Sequence, residues 1–268
     1  NITSPKITAP SNTPTVVGWN TNSTATTSAW DQNTAKAVNA NASYYAITKK
    51  NAVTRKATFT IQDANAVTAS ATSASCTIAA TYNGQAQGTT CDITAPTLTA
   101  KSGYTSIGWN TNKNATTSSV ASGAKITLSN NPTYYSITKN NTKLTATFNT
   151  NGATSIGENT ASCERYNGAT SCQVTLPTIT RNGFTINGWS TNKDATSGTA
   201  AGEKVTLTGN ATYYALSSKG VTLTFYRNNA TSITPSGGSA STATSLTQSC
   251  TIRNAATTCN ITSPTITA

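Results

Sequence analysis

Six cysteines are the residues of this sequence whose type and spacing point to chemistry, and they come in three pairs. The first cysteines of successive pairs lie 87 residues apart in both steps. Zinc sites need cysteines about two to four residues apart or histidine ligands, and the sequence has neither. The spacing therefore predicts disulfides and an oxidising, extracellular setting. The pairs are Cys76 and Cys91, Cys163 and Cys172, and Cys250 and Cys259.

A turn signal lies at the centre of each cysteine pair. Asn-Gly, which occupies two of the three centres, is the strongest two-residue signal for a β-hairpin. Folding the chain about such a turn places Cys163 opposite Cys172, at a Cα separation of about 5 Å that a disulfide accepts. We therefore predict intra-hairpin disulfides, with a bulge or a longer loop in the hairpin 76–91. The predicted turns are Asn83-Gly84, Asn167-Gly168 and Asn254-Ala255.

The cysteine pairs are part of a repeat that runs through the whole chain. A Gly-Trp signature recurs three times and is followed each time by a polar loop and a Tyr-Tyr pair. Such self-similarity indicates one building block of roughly 80 to 90 residues that is used in series. A tryptophan among glycines and small residues is typical of the core of a small domain, and we interpret these three as core residues. They are Trp19, Trp109 and Trp189.

Each unit opens on a segment that alternates between apolar and polar residues, which is typical of a half-buried strand, and its final predicted strand carries the Tyr-Tyr pair. Successive side chains of a strand point to opposite faces, so one ring of each pair is expected inside and the other outside. The outward tyrosines either form a contact surface or only cap the surface of the domain, and the sequence leaves both interpretations open. They are Tyr45, Tyr135 and Tyr214.

The phase of the repeat divides the chain into two complete units between two halves. Residues 1–8 and 260–267 share the pattern Asn-Ile-Thr-Ser-Pro-x-Ile-Thr, so both belong to the same position of the unit. Either the chain is a window of a longer array, which we favour, or the last half of one molecule completes the first half of the next. The predicted segments are the first half-repeat (1–51), repeat A (52–139), repeat B (140–218) and the last half-repeat (219–268).

The composition limits the partners of the chain. Its 18 basic and 7 acidic residues give a formal charge of +11, but no run of lysine or arginine concentrates that charge. A solvated basic surface is one interpretation, and an acidic envelope polymer or glycan as partner is the other. Nucleic acid is disfavoured because no basic face interleaved with aromatic residues can be drawn. No stretch approaches the roughly 18 apolar residues of a membrane span.

Residues that would form a catalytic or metal site do not recur in the sequence. Histidine, the commonest general base and metal ligand, is absent, and the seven carboxylates do not recur at equivalent positions of the repeat. Serine and threonine are too frequent to indicate a nucleophile. We therefore predict a non-enzymatic protein with no catalytic residue, no metal ligand and no cofactor.

An ordered set of segments carries a resemblance to a known family. The segments in repeat B are Leu144-Thr-Ala-Thr-Phe148, Leu176-Pro-Thr178, Gly183-Phe-Thr-Ile-Asn-Gly-Trp189, Val205-Thr-Leu207 and Thr212-Tyr-Tyr-Ala215. This set resembles the Listeria-Bacteroides repeat, the family that includes the internalin B-type B repeat, and it recurs once per period. The resemblance implies small β-grasp-like domains arrayed in bacterial surface proteins as stalks or adhesive modules. The cysteine hairpins depart from the family pattern.

Together these observations predict a mostly β fold, a tandem array of small β-rich domains of β-grasp-like or immunoglobulin-like form, each with a disulfide-closed β-hairpin. The function we expect is a non-enzymatic structural segment of an extracellular bacterial surface protein, stalk or filament. Its partners would be neighbouring repeats or identical chains head to tail. The alternative is an adhesive or glycan-binding module that recognises an envelope or host polymer.

Overall fold

The regular secondary structure of the described residues consists of β-strands. The structure is a computed structural model that describes residues 1–9 and 15–268, and these residues form 23 strands and no helix. Threonine, which is β-branched, fills the strands, while asparagine and glycine supply the turns. The mostly β prediction is thereby confirmed. Within the described ranges no helical segment exists that is long and apolar enough to cross a membrane.

The chain divides into two compact units, Asn1–Asn141 with Tyr166–Gly168 and Thr142–Arg165 with Ala169–Ala268. The first twelve strands are β1 (Ile2–Thr3), β2 (Thr15–Asn20), β3 (Ala35–Lys36), β4 (Tyr45–Lys50), β5 (Val53–Thr60), β6 (Val67–Ala69), β7 (Ser73–Ile78), β8 (Thr81–Tyr82), β9 (Cys91–Thr94), β10 (Leu98–Ala100), β11 (Tyr104–Asn110) and β12 (Lys125–Leu128). The remaining strands are β13 (Thr133–Asn149), β14 (Ser155–Ile156), β15 (Thr160–Tyr166), β16 (Cys172–Thr175), β17 (Ile179–Thr180), β18 (Thr185–Ser190), β19 (Lys204–Leu207), β20 (Ala211–Tyr226), β21 (Ser232–Thr234), β22 (Ser245–Arg253) and β23 (Thr265–Thr267).

Repeats A and B use the same strand pairing. In repeat A, β5 pairs in parallel with the first residues of β13, and β11 pairs antiparallel with β13. The smaller pairs β6 with β10 and β9 with β12 complete it. In repeat B the last residues of β13 pair in parallel with β20, and β18 pairs antiparallel with β20. The pairs β14 with β17 and β16 with β19 are the counterparts of the two smaller pairs.

The strands that flank each cysteine-pair turn find their ladder partners elsewhere. In repeat A, β7 pairs with β5 and β9 pairs with β12, in two different sheets. In repeat B, β15 pairs with β13 and β16 pairs with β19. The cysteines therefore do not lie opposite each other in one two-stranded ladder, the arrangement that the turn position alone suggests. The two strands instead belong to different sheets, and the disulfide connects these sheets.

The core of each complete repeat is built around its tryptophan. Trp109 is fully buried, at 0% exposure. Its ring meets Phe59 at 4.9 Å between centroids, and Phe59 stacks on Tyr134 at 5.4 Å. The indole N–H of Trp109 donates to the carbonyl of Pro96 at 2.9 Å, so its one polar atom is paired inside the core. This bond ties the proline bend to the tryptophan strand.

The tryptophans of the other segments follow the same plan. Trp189 is buried and meets Phe148 at 5.1 Å, and its indole N–H donates to the carbonyl of Pro177 at 2.8 Å. Trp19 makes the equivalent bond to Pro5 at 2.9 Å but is partly exposed. Residues 1–9 and 15–51, which the structure describes in the first half-repeat, include no phenylalanine, so no such ring packs on Trp19 from within this segment.

The glycine before each tryptophan is required by a β-bulge. The ladder of β11 with β13 shifts register immediately before Gly108, whose φ is +134°. A Cβ there would lie 2.6 Å from the carbonyl oxygen of Val120, because the bulge brings the two backbones together. Trp109 and Val120 then exchange two backbone hydrogen bonds, of 2.8 and 3.0 Å. The Gly-Trp signature is thus a backbone requirement followed by a core residue.

Candidate functional site at the repeat junction

The three cysteine pairs lie beside three turns that contact other parts of the chain. Cys76 is bonded to Cys91, Cys163 to Cys172 and Cys250 to Cys259, with Cα separations of 5.9, 5.8 and 5.9 Å. Each bond closes a loop of 15 or 9 residues. A loop closed in this way restricts the conformations of the turn at its tip.

An asparagine in the left-handed conformation stands at the tip of each loop. Asn83, Asn167 and Asn254 have φ values of 54°, 55° and 50°. Gly84 and Gly168 follow with φ values of 78° and 80°, so the first two tips are type I′ turns. The third tip has alanine in place of glycine, and there only the asparagine has a positive φ. Asparagine is the non-glycine residue best suited to this conformation.

The side chain of Asn254 makes the contact that defines the site. Its Oδ1 accepts a hydrogen bond from the backbone N–H of Ser217 at 3.1 Å, while its own N–H donates to the Ser217 carbonyl at 2.9 Å. Its Nδ2 donates to the carbonyls of Lys193 at 2.9 Å and Ala195 at 3.1 Å. Asn254 is 7% exposed, so these bonds pair its side-chain oxygen and nitrogen away from water.

The same set of four bonds recurs at the other two tips. The two-bond exchange with a residue shortly after a Tyr-Tyr pair joins Asn83 to Thr48, at 3.0 and 3.2 Å, and Asn167 to Thr138, at 3.0 and 3.0 Å. The Nδ2 bonds run from Asn83 to the carbonyls of Ser23 and Ala25, and from Asn167 to those of Lys113 and Ala115. Each of these contacts lies within one compact unit. We call this four-bond contact the asparagine clamp.

The polar loop after each tryptophan presents the two carbonyls that the clamp needs. In repeat A the Oδ1 of Asn110 accepts from the N–H of Asn112 at 2.8 Å, and its Nδ2 donates to the carbonyl of Thr117 at 2.9 Å. The N–H of Ala115 closes a turn on the Asn112 carbonyl at 3.1 Å. These side-chain bonds hold the loop in a fixed turn. The Asn-Thr-Asn part of the repeat signature therefore shapes the surface that receives the asparagine.

The outward tyrosines lie beside this loop. Tyr45, Tyr135 and Tyr214 stand opposite the last strand residues before the loops, which are Asn20, Asn110 and Ser190. Tyr45 is 49% exposed, whereas Tyr135 and Tyr214 are half-buried. None of the three makes a clamp bond in the set described above. A contact role for them stays a prediction.

One exposed ion pair lies beside the disulfide of Cys76 with Cys91. Lys125 Nζ lies 2.7 Å from a carboxylate oxygen of Asp92, and Thr127 donates to the same carboxylate at 2.6 Å. The bond from Lys125 and then that from Thr127 lower the pKa of Asp92. The contribution of this ion pair to the stability of the fold is present above the ordinary aspartate pKa and is lost as pH falls through the lowered value. It is small because both groups are exposed. The clamp itself contains no titratable group.

Removal of one disulfide is expected to lower stability measurably. The double variant Cys163→Ser with Cys172→Ser should lower the free energy of unfolding by about 2.5 kcal/mol, because the unfolded chain regains the entropy of its closed loop. Urea denaturation of the variant and of the wild type reports the difference. Reduction of the wild type should lower stability further, since it opens three loops. A double variant as stable as the oxidised wild type would contradict this role.

The strand pairing, the cores and the clamps together define a tandem β-repeat protein whose repeats associate with their neighbours through side-chain amides. The family model of the Listeria-Bacteroides repeat domain matches residues 58–137 and 145–216, more than half of the chain. The chain therefore belongs to the Listeria-Bacteroides repeat family, and the resemblance predicted from the sequence is confirmed. No curated protein and no solved structure gives a significant match.

Proposed function

We propose that this chain is a non-enzymatic structural segment of an extracellular bacterial surface protein, stalk or filament. The observation that carries the proposal is the recurrence of the asparagine clamp at three successive junctions. A clamp made at every period serves to hold a series of repeats together, whereas a ligand site or catalytic site needs its residues only once. Stability in such arrays grows with each added repeat and each added junction.

The cysteines support the extracellular part of the proposal. All six form disulfides, and the structure contains no free cysteine. Disulfides persist in oxidising compartments and are reduced in the cytosol of most organisms. Three bridges within a chain of small cores are typical of domains that gain stability from cross-links rather than from a large core.

Cell-surface exposure and thiol state test the proposal together. On intact cells of the source organism, an added protease should degrade the protein, and a maleimide reagent should label its cysteines only after reduction. The control is a cytosolic protein of the same cells, which should resist the protease until the cells are lysed. Protection of the chain in intact cells, together with thiols that react without reduction, would overturn the proposal.

A binding module is the second candidate, and the exposure of Tyr45 favours it. An aromatic ring that is 49% exposed offers an apolar face with a hydroxyl, which suits a sugar ring or a polar polymer. A glycan array probed with the wild type and with the triple variant of Tyr45→Ala, Tyr135→Ala and Tyr214→Ala separates the two candidates. A structural segment should bind no glycan specifically. Saturable binding that the triple variant loses would favour the binding module instead.

A further inference from the structure

The first and last strands of repeat A lie side by side and run in the same direction. The end of β5 pairs in parallel with the start of β13, and the register places Phe59 opposite Tyr134. One backbone bond of this pair runs from the N–H of Thr58 to the carbonyl of Pro132 at 3.0 Å. The chain enters the repeat through β5 and leaves it through β13. All the residues of this parallel pair lie in the first compact unit.

Repeat B has the same pair at the same place. The last residues of β13 pair in parallel with the start of β20, and Phe148 lies opposite Tyr213. The two rings are 6.2 Å apart, and Phe148 also packs on Trp189. Here the chain enters through β13 and leaves through β20, and the pair lies within the second compact unit. Two complete repeats therefore begin and end on adjacent parallel strands.

This geometry determines how each repeat responds to tension along the chain. A pull on the entering and leaving ends acts along the axes of the two parallel strands in opposite directions, so all their hydrogen bonds are loaded at once. In an antiparallel pair pulled from neighbouring ends, the bonds would instead open one after another. We propose that the parallel terminal strands of repeats A and B are loaded in shear when the chain is pulled, and that they thereby allow the chain to bear mechanical force.

Side-chain amides reinforce the parallel pair at both of its ends. At the entrance, Asn131 Oδ1 accepts from the N–H of Lys56 at 2.9 Å, and Asn210 Oδ1 accepts from the N–H of Thr145 at 2.9 Å. At the exit, Gln62 Nε2 donates to the carbonyl of Ser136 at 2.9 Å. These bonds join the same two strand regions as the parallel pair, so they carry load with it.

The counterpart of the Gln62 bond in repeat B comes from Asn151. Its Nδ2 donates to the carbonyl of Ala215 at 3.1 Å, at the position that Ser136 occupies in repeat A. The residue types differ, but both repeats place an amide donor just after the entering strand and a backbone acceptor in the leaving strand. The recurrence of the contact with a different side chain indicates a requirement of the geometry rather than a copied residue.

The disulfides limit how far a ruptured repeat extends. Cys76 and Cys91 lie between the two parallel strands of repeat A, and their bond hides 15 residues from the pulling force. The bond of Cys163 with Cys172 hides 9 residues of repeat B in the same way. Rupture of either oxidised repeat should release roughly 200 Å of chain, at about 3.5 Å per residue. Reduction should add roughly 50 Å in repeat A and roughly 30 Å in repeat B.

Single-molecule force spectroscopy of the full chain, held at its two ends, tests the proposal. The half-repeats should open first, and two ruptures of roughly 200 Å each should follow at high force. As a control on the same protein, handles at Thr185 and Lys219 pull the antiparallel pair of β18 and β20 apart from one end. Rupture there should need several-fold less force. Equal rupture forces in the two directions would overturn the proposal.

A mild variant keeps the test independent of folding defects. Asn131→Ala with Asn210→Ala removes one reinforcing bond from each repeat, at exposed positions. We expect a lower rupture force when the chain is pulled at its two ends, and an unchanged rupture force when it is pulled by handles at Thr185 and Lys219. An unchanged end-to-end force would contradict the reinforcing role. The outcome does not depend on the location of the protein, so a failure here and a failure of the proposed function are distinguishable.

Discussion

Replacement of Asn254 by alanine is expected to lower the free energy of unfolding by about 3 kcal/mol. The variant leaves the N–H of Ser217 and the carbonyls of Lys193 and Ala195 without their partner in a buried contact. It also forces an alanine into a φ of 50°. Urea denaturation followed by circular dichroism measures the change. Of the three clamps, this one is the most buried, so its loss should have the largest effect.

Two further substitutions at the same position separate the causes. Asn254→Gly accepts the left-handed backbone without strain but has no side chain, so we expect a loss of about 2 kcal/mol from the hydrogen bonds alone. Asn254→Asp keeps Oδ1 as acceptor but turns a carboxylate oxygen toward two carbonyl oxygens, and it should be at least as destabilising as the glycine variant. A glycine variant as stable as the wild type would show that only the backbone conformation matters.

Replacement of Trp109 by alanine is expected to lower the free energy of unfolding by about 4 kcal/mol, because it leaves a large cavity in a fully packed core. The ring has 0% exposure and contacts Phe59, and its N–H is paired with the carbonyl of Pro96. Thermal unfolding of the variant should show a clear fall in the transition temperature of the affected repeat.

The equivalent change in the first half-repeat provides a matched control. Trp19 makes the same bond to a proline carbonyl but is partly exposed and has no phenylalanine partner. Trp19→Ala should therefore cost about 1 to 2 kcal/mol, less than half of the effect at Trp109. Equal losses at the two positions would mean that the indole hydrogen bond, not the burial of the ring, dominates the contribution of the tryptophan.

The fold class could be predicted from the sequence because strand patterns are local. The repeat could be predicted because it is found by comparing one part of the sequence with another. Alternating apolar residues indicate strands wherever they occur, and recurring Gly-Trp and cysteine spacings need no knowledge of contacts. The turns at Asn83 and Asn167 are local in the same sense. Asn-Gly is one of few pairs that adopt positive φ at both positions, and the structure has positive φ at both.

The strand pairing could not be predicted from turn position because partner choice is not local. The sequence suggested that the strands beside each cysteine pair with each other, but β7 pairs with β5 and β9 with β12. The boundary that the sequence predicts between residues 139 and 140 likewise falls inside a strand, because β13 runs from Thr133 to Asn149 without a break. Threonine, lysine and asparagine in this stretch permit a strand, and strands on either side provide partners for it.

The asparagine clamp is hard to predict from the sequence for a different reason. Its acceptors are backbone carbonyls, which every residue has, so no residue type marks them. The Nδ2 bonds also span 52 to 61 residues of sequence, as between Asn167 and Ala115 or Asn254 and Lys193. One signal was available, namely the Asn254-Ala255 tip. A turn that keeps asparagine where the following glycine is lost suggests that the side chain, and not only the backbone, is needed.

Residue-resolved amide hydrogen exchange tests the central claim, that the tip asparagines clamp consecutive repeats, most directly. The N–H groups of Thr48, Thr138 and Ser217 donate to the asparagine side chains. In the wild type all three should exchange slowly, and Asn254→Gly should accelerate exchange at Ser217 while leaving Thr48 unchanged. Unchanged protection of Ser217 in this variant would show that the asparagine does not hold the junction.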